Sequence, residues 1–557
     1  MNAIRIFLIV ALAINAYLIL MSWQKEYQKN PDIQQASQDL IKINDENKKL
    51  HDLPIVTNLD SAVNVSKNTE SKKIVVKTDV LEVQIDLLGG DLVKALLLQY
   101  PKKIENQKDP FVLLDQDAGY KYIIQSGFLG SSGKDLDSND LSSGRPFYKV
   151  TAESFEMTGN SIDVPLKYEI KPGLIYTKTF RFTKGSYKIE ELVTIENTGS
   201  EKYQGRYFSQ IKRNNADDPS IGKKSIFSLA TYLGFSYWLP DDPFNKISLE
   251  EVEELQVQNK PVKFTHDGGW VSFIQHYFLS AIIPDKTQAW DYFAKKNTSG
   301  DYIFGFVEKN EVIVSEQSTK SILNTYYLGP KIQKELSQIS PGLELSVDYG
   351  VLYAISKGLF QILDWFHDKT QNWGWSIILL TLLVKAVFYY PSAISYRSTA
   401  KMKKIQPQII RLKELHGSDH QKMSQEMMQI YKKEGVNPLG GCLPILLQMP
   451  VFLALYWTLL ESVELRHADF IFWLKDLSVM DPYFVLPILM GASMYVQTAM
   501  STAASMDPMQ EKVMKMMPII FTVFFLFMPS GLVLYWLTNN ILSILQQWVI
   551  TKQVIKA

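Results

Sequence analysis

Apolar residues are distributed along this chain in two regimes. Between residues 74 and about 335 they come in short runs that alternate with polar ones. IVVKTDVLEVQIDLLGG alternates and then turns at Gly89-Gly90, and YTKTFRFTKGSYKIEELVTIENTG reads as two strands about Lys184-Gly185. GGWVSFIQHYFLSAIIP and TYYLGP continue the pattern. Period-two runs bounded by Gly, Asn and Pro predict one large antiparallel β-sandwich over 74–335. Beyond residue 370 the runs are long and unbroken. They cover 373–390, 443–460, 483–500, 513–528 and 532–550, and a further run covers 4–21. About 20 apolar helical residues cross a hydrocarbon core of ~30 Å. The pattern therefore predicts a polytopic α-helical membrane protein with six transmembrane helices. The run 513–528 gives only ~24 Å of helix, which is short and favours local thinning of the bilayer or a small tilt.

The segments between the runs set the orientation. From Arg397 to Glu434 there are nine Lys or Arg against four Asp or Glu, whereas Glu464 to Pro482 carries two against four. Basic loops stay in the cytoplasm, so both termini are expected there and the β-domain on the opposite side. The basic segment, 396–435, reads as helix, turn, helix. Ser418 or Asp419 is the cap, Gly435 is the stop, and Met402, Ile405, Ile409 and Leu412 face Met423, Met427, Ile430 and Tyr431. The first run follows Arg5 and precedes Trp23 without a small-x-small cleavage site, which favours an uncleaved signal anchor over 4–23 rather than a removed signal peptide. Residues 24–73 are polar and aperiodic and read as a tether. Residues 351–367 place Leu352, Ile355, Leu359, Ile362 and Phe366 at helical spacing. That suits a helix lying in the membrane interface or a connector packed on the β-domain. A short tail, 551–557, ends the chain.

Composition removes several function classes. Lys plus Arg and Asp plus Glu are both 58 in 557 residues, which argues against a nucleic-acid partner. One cysteine, Cys442, permits neither an intramolecular disulfide nor a Cys-cluster metal site. There is no GxxxxGK[ST] and no HExxH, and the seven histidines all fall outside the expected spans. Trp238 and Trp270 have the chemistry to stack on a sugar, but no carboxylate pair converges with them and core packing is the expected role. No enzymatic activity and no cofactor or metal are expected.

The candidate chemistry lies in the spans. Lys385 is a full charge inside an apolar run, at a cost of roughly 2.5–3.5 kcal/mol on insertion scales. It stands twelve residues after Trp373, ~18 Å along a helix, and so beyond the midplane. Either it snorkels to the interface or it faces a wet cavity. Thr381 shares its face. Gln448 lies near the cytoplasmic end of its run, and Thr538, Asn539 and Asn540 lie partway along the last one. Together they suggest a polar cavity open to the cytoplasm. On residues alone an insertase, a transporter and an intramembrane enzyme all stay open, although no inverted repeat supports the transporter.

The stretches NPLGGCLPILLQMPVFLALYWTLLESVELR, DPYFVLPILMGASM, DPMQEKVMKMMPIIFTVFF and PSGLVLYWLTNN resemble the YidC/Oxa/Alb family of membrane protein insertases over Trp373 to Ile550. The upstream pattern is similar to its Gram-negative form, with a signal anchor and a large periplasmic β-supersandwich before five core spans. The resemblance implies an inner-membrane insertase and chaperone with a cytoplasmic helical hairpin. It also implies a positively charged hydrophilic groove, with Lys385 where the family more often has Arg. Tyr535 and Trp536 match the aromatic residues that contact the client helix. The implied partners are nascent inner-membrane proteins, the lipid bilayer, the Sec translocon with its accessory subunits, and the ribosome met through the cytoplasmic loops.

Overall fold

The structure, a computed structural model, describes residues 72–117, 119–137, 145–217, 231–416, 420–435, 443–501 and 508–556. The expected signal anchor, nearly all of the tether, the hairpin turn with Ser418 and Asp419, and Cys442 lie outside the described residues. The chain divides into a β unit ending at Val347 and a helical unit beginning at Asp348.

The β unit has two sheets. The larger, of eleven strands, runs Val262–Asp267, Ala289–Lys296, Tyr302–Glu308, Tyr203–Arg213, Tyr120–Leu129, Asn106–Asp117, Asp91–Lys103, Leu81–Asp86, Lys73–Lys77 and Ser154–Glu156, with Val312–Val314 attached to Tyr203–Arg213. The smaller, of eight, runs Asn245–Ile247, Gly234–Trp238, Trp270–Ile274, Phe278–Ile283, Ser318–Pro330, Lys188–Asn197, Leu174–Thr183 and Ser161–Lys171. Named strands pair antiparallel except Lys73–Lys77 with Ser154–Glu156. Gly89, Gly90 and Gly185 all have positive φ, as the turns between strands require. A helix α1, Leu249–Val257, capped by the Ser248 side chain, and a short helix α2, Gln333–Ile339, flank the sheets.

The alternation in the sequence is the alternation of burial. In Leu174–Thr183 the residues Leu174, Tyr176, Phe180 and Phe182 point into the sandwich, and rings from the two sheets meet there, as Phe111 and Phe278 do at 4.2 Å. Lys178 occupies an inward position of the same strand and is fully buried. It survives because its ammonium donates to Gly89 O, Ser126 O and Ser126 Oγ, each at 3.0 Å, and lies 3.6 Å from Glu191. Burial nonetheless pushes its pKa below the usual lysine value. Glu191 in turn accepts from Ser126 Oγ and Tyr207 Oη, both at 2.6 Å. Trp270 is fully buried with its indole donating to Pro341 O at 3.1 Å, and Trp238 packs against Gly342. Trp270 is a core residue and Trp238 is half-buried.

The helical unit opens with a 3-10 turn, Gly350–Leu352, and α3, Tyr353–Thr370. Of the expected stripe, Leu359 is buried and Leu352, Ile362 and Phe366 are half-buried. Ser356, Leu359, Phe360 and Leu363 are buried, and Ile355 is 41 % exposed. Then come α4, Trp373–Val387; α5, Tyr389–His416; α6, His420–Lys433; α7, Leu443–Glu461; α8, Val485–Ser501; α9, Pro508–Phe525; and α10, Ser530–Lys556. Asn372 caps α4 by accepting from Trp375 N at 3.1 Å. The expected span to Tyr390 is two helices, broken at Phe388 and bent by 68°. Pro391 falls in the first turn of α5, where its missing N–H costs nothing. The run expected at 513–528 ends at Phe525, because the chain turns through Leu526–Met528 toward Pro529, which bridges to Met480. Ile405, Ile409 and Tyr431 form the buried contact of α5 with α6, with Met402, Met427 and Ile430 against it. Gly435 takes φ 60 after α6. Among the described residues no single helix is long and apolar enough to cross a membrane alone, and the bent pair α4–α5 is long enough together.

Candidate functional site

The polar residues of the apolar helices gather on one side of α10. Asn539, Ser543 and Gln547 recur every fourth residue and so share a face; with Asn540 they are all buried. Each engages another helix or its own backbone. Lys385 of α4 donates from Nζ to Ser543 Oγ at 2.7 Å, and the Ser543 hydroxyl donates to Asn539 O at 2.7 Å. Gln448 of α7 donates to Asn539 Oδ1 at 2.8 Å. Asn540 donates to Ser493 Oγ of α8 at 3.2 Å, and Gln547 donates to Met500 O at 3.1 Å and to Ser501 Oγ at 3.2 Å. A buried amide or hydroxyl in apolar surroundings costs about 1–3 kcal/mol if unpaired, so these contacts fix which faces meet.

Lys385 is half-buried, makes that one hydrogen bond, and has no ion pair among the described residues. It is therefore not stretched along the helix toward water. Thr381 is fully buried, one turn from Lys385, but its hydroxyl donates to Ile377 O at 2.7 Å, within α4. Tyr535 is buried, and its hydroxyl interacts with the Gln448 side chain. Trp536 lies between Phe452, 4.4 Å away, and Phe525, 5.6 Å away, with its indole N–H unpaired among the described residues. The structure thus connects Lys385, Gln448 and Tyr535 through α10, sets Trp536 beside them in sequence, and turns the Thr381 hydroxyl to its own helix. Sequence reasoning missed Ser543, Ser493 and Gln547. The four-residue spacing from Asn539 is the signal that finds Ser543 and Gln547, and Ser493 of α8 has no such signal.

Close approach holds the frame. A Cβ on Gly374 of α4 would fall 2.0 Å from the Phe470 ring, and one on Gly491 of α8 would fall 1.9 Å from Thr522 Oγ1 of α9. In the segment between α7 and α8, Asp481 is fully buried. It accepts from Trp473 Nε1 at 2.9 Å, Tyr483 N at 3.0 Å and Leu486 N at 2.7 Å, tying that segment to the first turn of α8. Asp364, His367 and Asp368 of α3 lie close enough together to share a cation, and the His367 ring stacks on Trp373 at 4.0 Å.

Two family descriptions match most of the chain: YidC periplasmic domain over residues 73–362 and 60Kd inner membrane protein over 365–557. The chain is similar to the membrane protein insertase YidC of Marinomonas sp. (strain MWYL1), 47% identical over 562 residues, covering 99% of this chain and 98% of that one. It is similar to the protein of the same description from Pseudomonas fluorescens (strain SBW25), 42% identical over 577 residues, covering 100% and 98%. Among solved structures it matches an active YidC insertase with the first transmembrane domain resolved, at 18% identity and a TM-score of 0.37, covering 87% of this chain and 93% of that one.

Proposed function

The chain belongs to the YidC family of membrane protein insertases, and from that premise we propose that Lys385, Gln448, Tyr535 and the polar face of α10 form the groove that receives a client's polar flank. Thr381 and Trp536 complete it, the first as a polar residue on the Lys385 face, the second as an apolar wall for the client helix. The physical problem is to carry a polar tail across hydrocarbon. A charge beside polar side chains lowers that cost in two ways. It keeps water in the groove, and it attracts a client carboxylate by about 4 kcal/mol at 4 Å and an effective dielectric of 20. The client's own apolar helix then leaves sideways into lipid, a transfer that is favourable for ~20 residues and needs no nucleotide.

This reading takes α4, α7, α8, α9 and α10 as membrane spans, with residues 4–23 as a sixth. It places the α5–α6 pair and both termini in the cytoplasm and the β unit in the periplasm. The charge bias of the two loops supports that orientation. The Sec translocon and the ribosome enter as partners by family membership alone, with no residue assigned to them.

One observation carries the role of Lys385. Its ammonium rests on Ser543 inside the helical unit rather than extending past the helix end. Insertion of two clients that differ only in the charge of the translocated tail, at matched insertase abundance, tests it. Lys385→Arg should keep the preference for the acidic tail, and Lys385→Glu should impair acidic tails most. Equal insertion of acidic and neutral tails by wild type and the Glu variant refutes the electrostatic role and leaves an ordinary helix-end lysine.

A further inference from the structure

We infer that Ser543 is a positioning residue for Lys385: its hydroxyl parks the ammonium on the groove wall, so that the tail-charge preference of insertion depends on this oxygen as well as on the lysine charge. The inference rests on the reading of Lys385 given above. A lysine stem has four rotatable bonds and no planar fork, so nothing in the side chain itself fixes where its charge sits. Here a single contact, 2.7 Å to Ser543 Oγ, does so. Ser543 is 1 % exposed, and its own proton is committed to Asn539 O at 2.7 Å, which leaves its lone pairs for Lys385 and the neighbouring Tyr396 hydroxyl. Asn539 is held in turn by Gln448 Nε2 at 2.8 Å. The chain of donors therefore runs from α4 to α10, and α7 locks the residue on which it ends. An arginine at position 385 has five donors and a longer reach, and would depend less on one oxygen.

The identity of the acceptor matters. A hydroxyl is neutral, whereas a client carboxylate carries a full charge and adds a Coulomb attraction to the ammonium that a hydroxyl dipole does not match. The charge is thus held by a partner that a client carboxylate outcompetes, whereas a resident aspartate would neutralise it. Without the hydroxyl the ammonium swings toward water and the groove loses its charge at the depth where the tail passes.

The test reads the ratio of acidic-tail to neutral-tail insertion at matched abundance in full-length protein. Ser543→Ala should lower that ratio roughly three- to tenfold, the scale of one net intramolecular hydrogen bond, and Ser543→Thr, which keeps the oxygen, should restore it. Ser543→Cys preserves volume but offers a poor acceptor, so it should behave as alanine even where the alanine variant fails to accumulate. In a Lys385→Ala background Ser543→Ala should change the ratio no further. A Ser543→Ala or Ser543→Cys variant that retains the wild-type ratio while Lys385→Ala loses it overturns the inference and leaves the role of Lys385 standing. An equal loss for both clients also overturns it, as a packing effect. Retention of the ratio by Lys385→Ala removes the reading beneath both.

Discussion

Replacing Asp481 with alanine should loosen the start of α8 without unfolding the helical unit. Three donors lose their acceptor together: Trp473 Nε1, Tyr483 N and Leu486 N. They are not equal. Tyr483 is 68 % exposed, so its amide finds water at little cost, whereas Leu486 is 5 % exposed and its amide is left orphaned. An unpaired buried donor costs about 1–3 kcal/mol, and the lost carboxylate near a helix N-terminus adds about 0.3–1 kcal/mol. With the indole N–H of Trp473 included, the change comes to about 3 kcal/mol, or roughly a hundredfold in the local opening equilibrium. Asp481→Asn should cost about half as much. Its amide keeps one oxygen for Trp473 and Tyr483 but turns an NH2 toward Leu486. Hydrogen exchange on the purified full-length chain reads this directly, at the amides of residues 483–490 against those of α10. Faster exchange confined to the first turn of α8 is the expected result. An unchanged rate at Leu486 in the alanine variant refutes the reasoning, since it would mean that the carboxylate carries none of the helix start.

Two further outcomes follow from other parts of the molecule. The Glu308 carboxyl is pushed up to about 7 by burial, with a backbone hydrogen bond from Tyr207 opposing the shift. Its folded value lies above its unfolded one, so the native state holds the proton longer and stability falls as pH rises from about 4.5 to 7, then levels. Glu308→Gln should therefore stabilise the β unit at pH ~8 by up to about 3 kcal/mol, with the advantage vanishing toward pH ~4.5. Thermal melts at both ends of that range check it, and a pH-independent difference counts against it. For orientation, single cysteines in a Cys442→Ser background should react with an impermeant maleimide from outside at Lys475→Cys and not at Lys433→Cys; the reverse pattern sinks the arrangement.

The β unit was legible because alternation in sequence is alternation in space. Leu174, Tyr176, Phe180 and Phe182 name their own inner face. Lys178 breaks that rule, and no local pattern warns of it, since the oxygens that tolerate its charge come from Gly89 and Ser126. Hydropathy placed the apolar helices but ran α4 into α5, because an average across Phe388 does not register a break at one residue. It marked the apolar stripe of α3 but not which of its residues are buried within the helical unit. Val351, Ile355 and Trp365 are apolar and exposed, so apolar character alone does not separate a face turned to helices from one turned outward. Among the polar residues of the apolar helices, Lys385 drew attention because a charge is expensive in an apolar run. Ser543 did not, because a helical serine usually satisfies itself on its own backbone, as this one does on Asn539 O, and its four-residue spacing from Asn539 was the one sign it offered.

The convergence of contacts on α10 has a bearing on how the chain assembles. Lys385, Gln448 and Ser493 belong to helices made earlier, and each takes its partner from a helix made after all of them. On the proposed reading of these helices as membrane spans, until that helix arrives the earlier ones hold a charge, an amide and a hydroxyl with nothing from α10 to receive them. Such groups are costly in hydrocarbon, so the early spans have reason to wait at a wet boundary rather than settle in lipid. The proposed groove would then close in one late step. A chain stopped before α10 is not a weaker insertase but a set of helices with their polar faces open, the kind of substrate an insertase exists to handle.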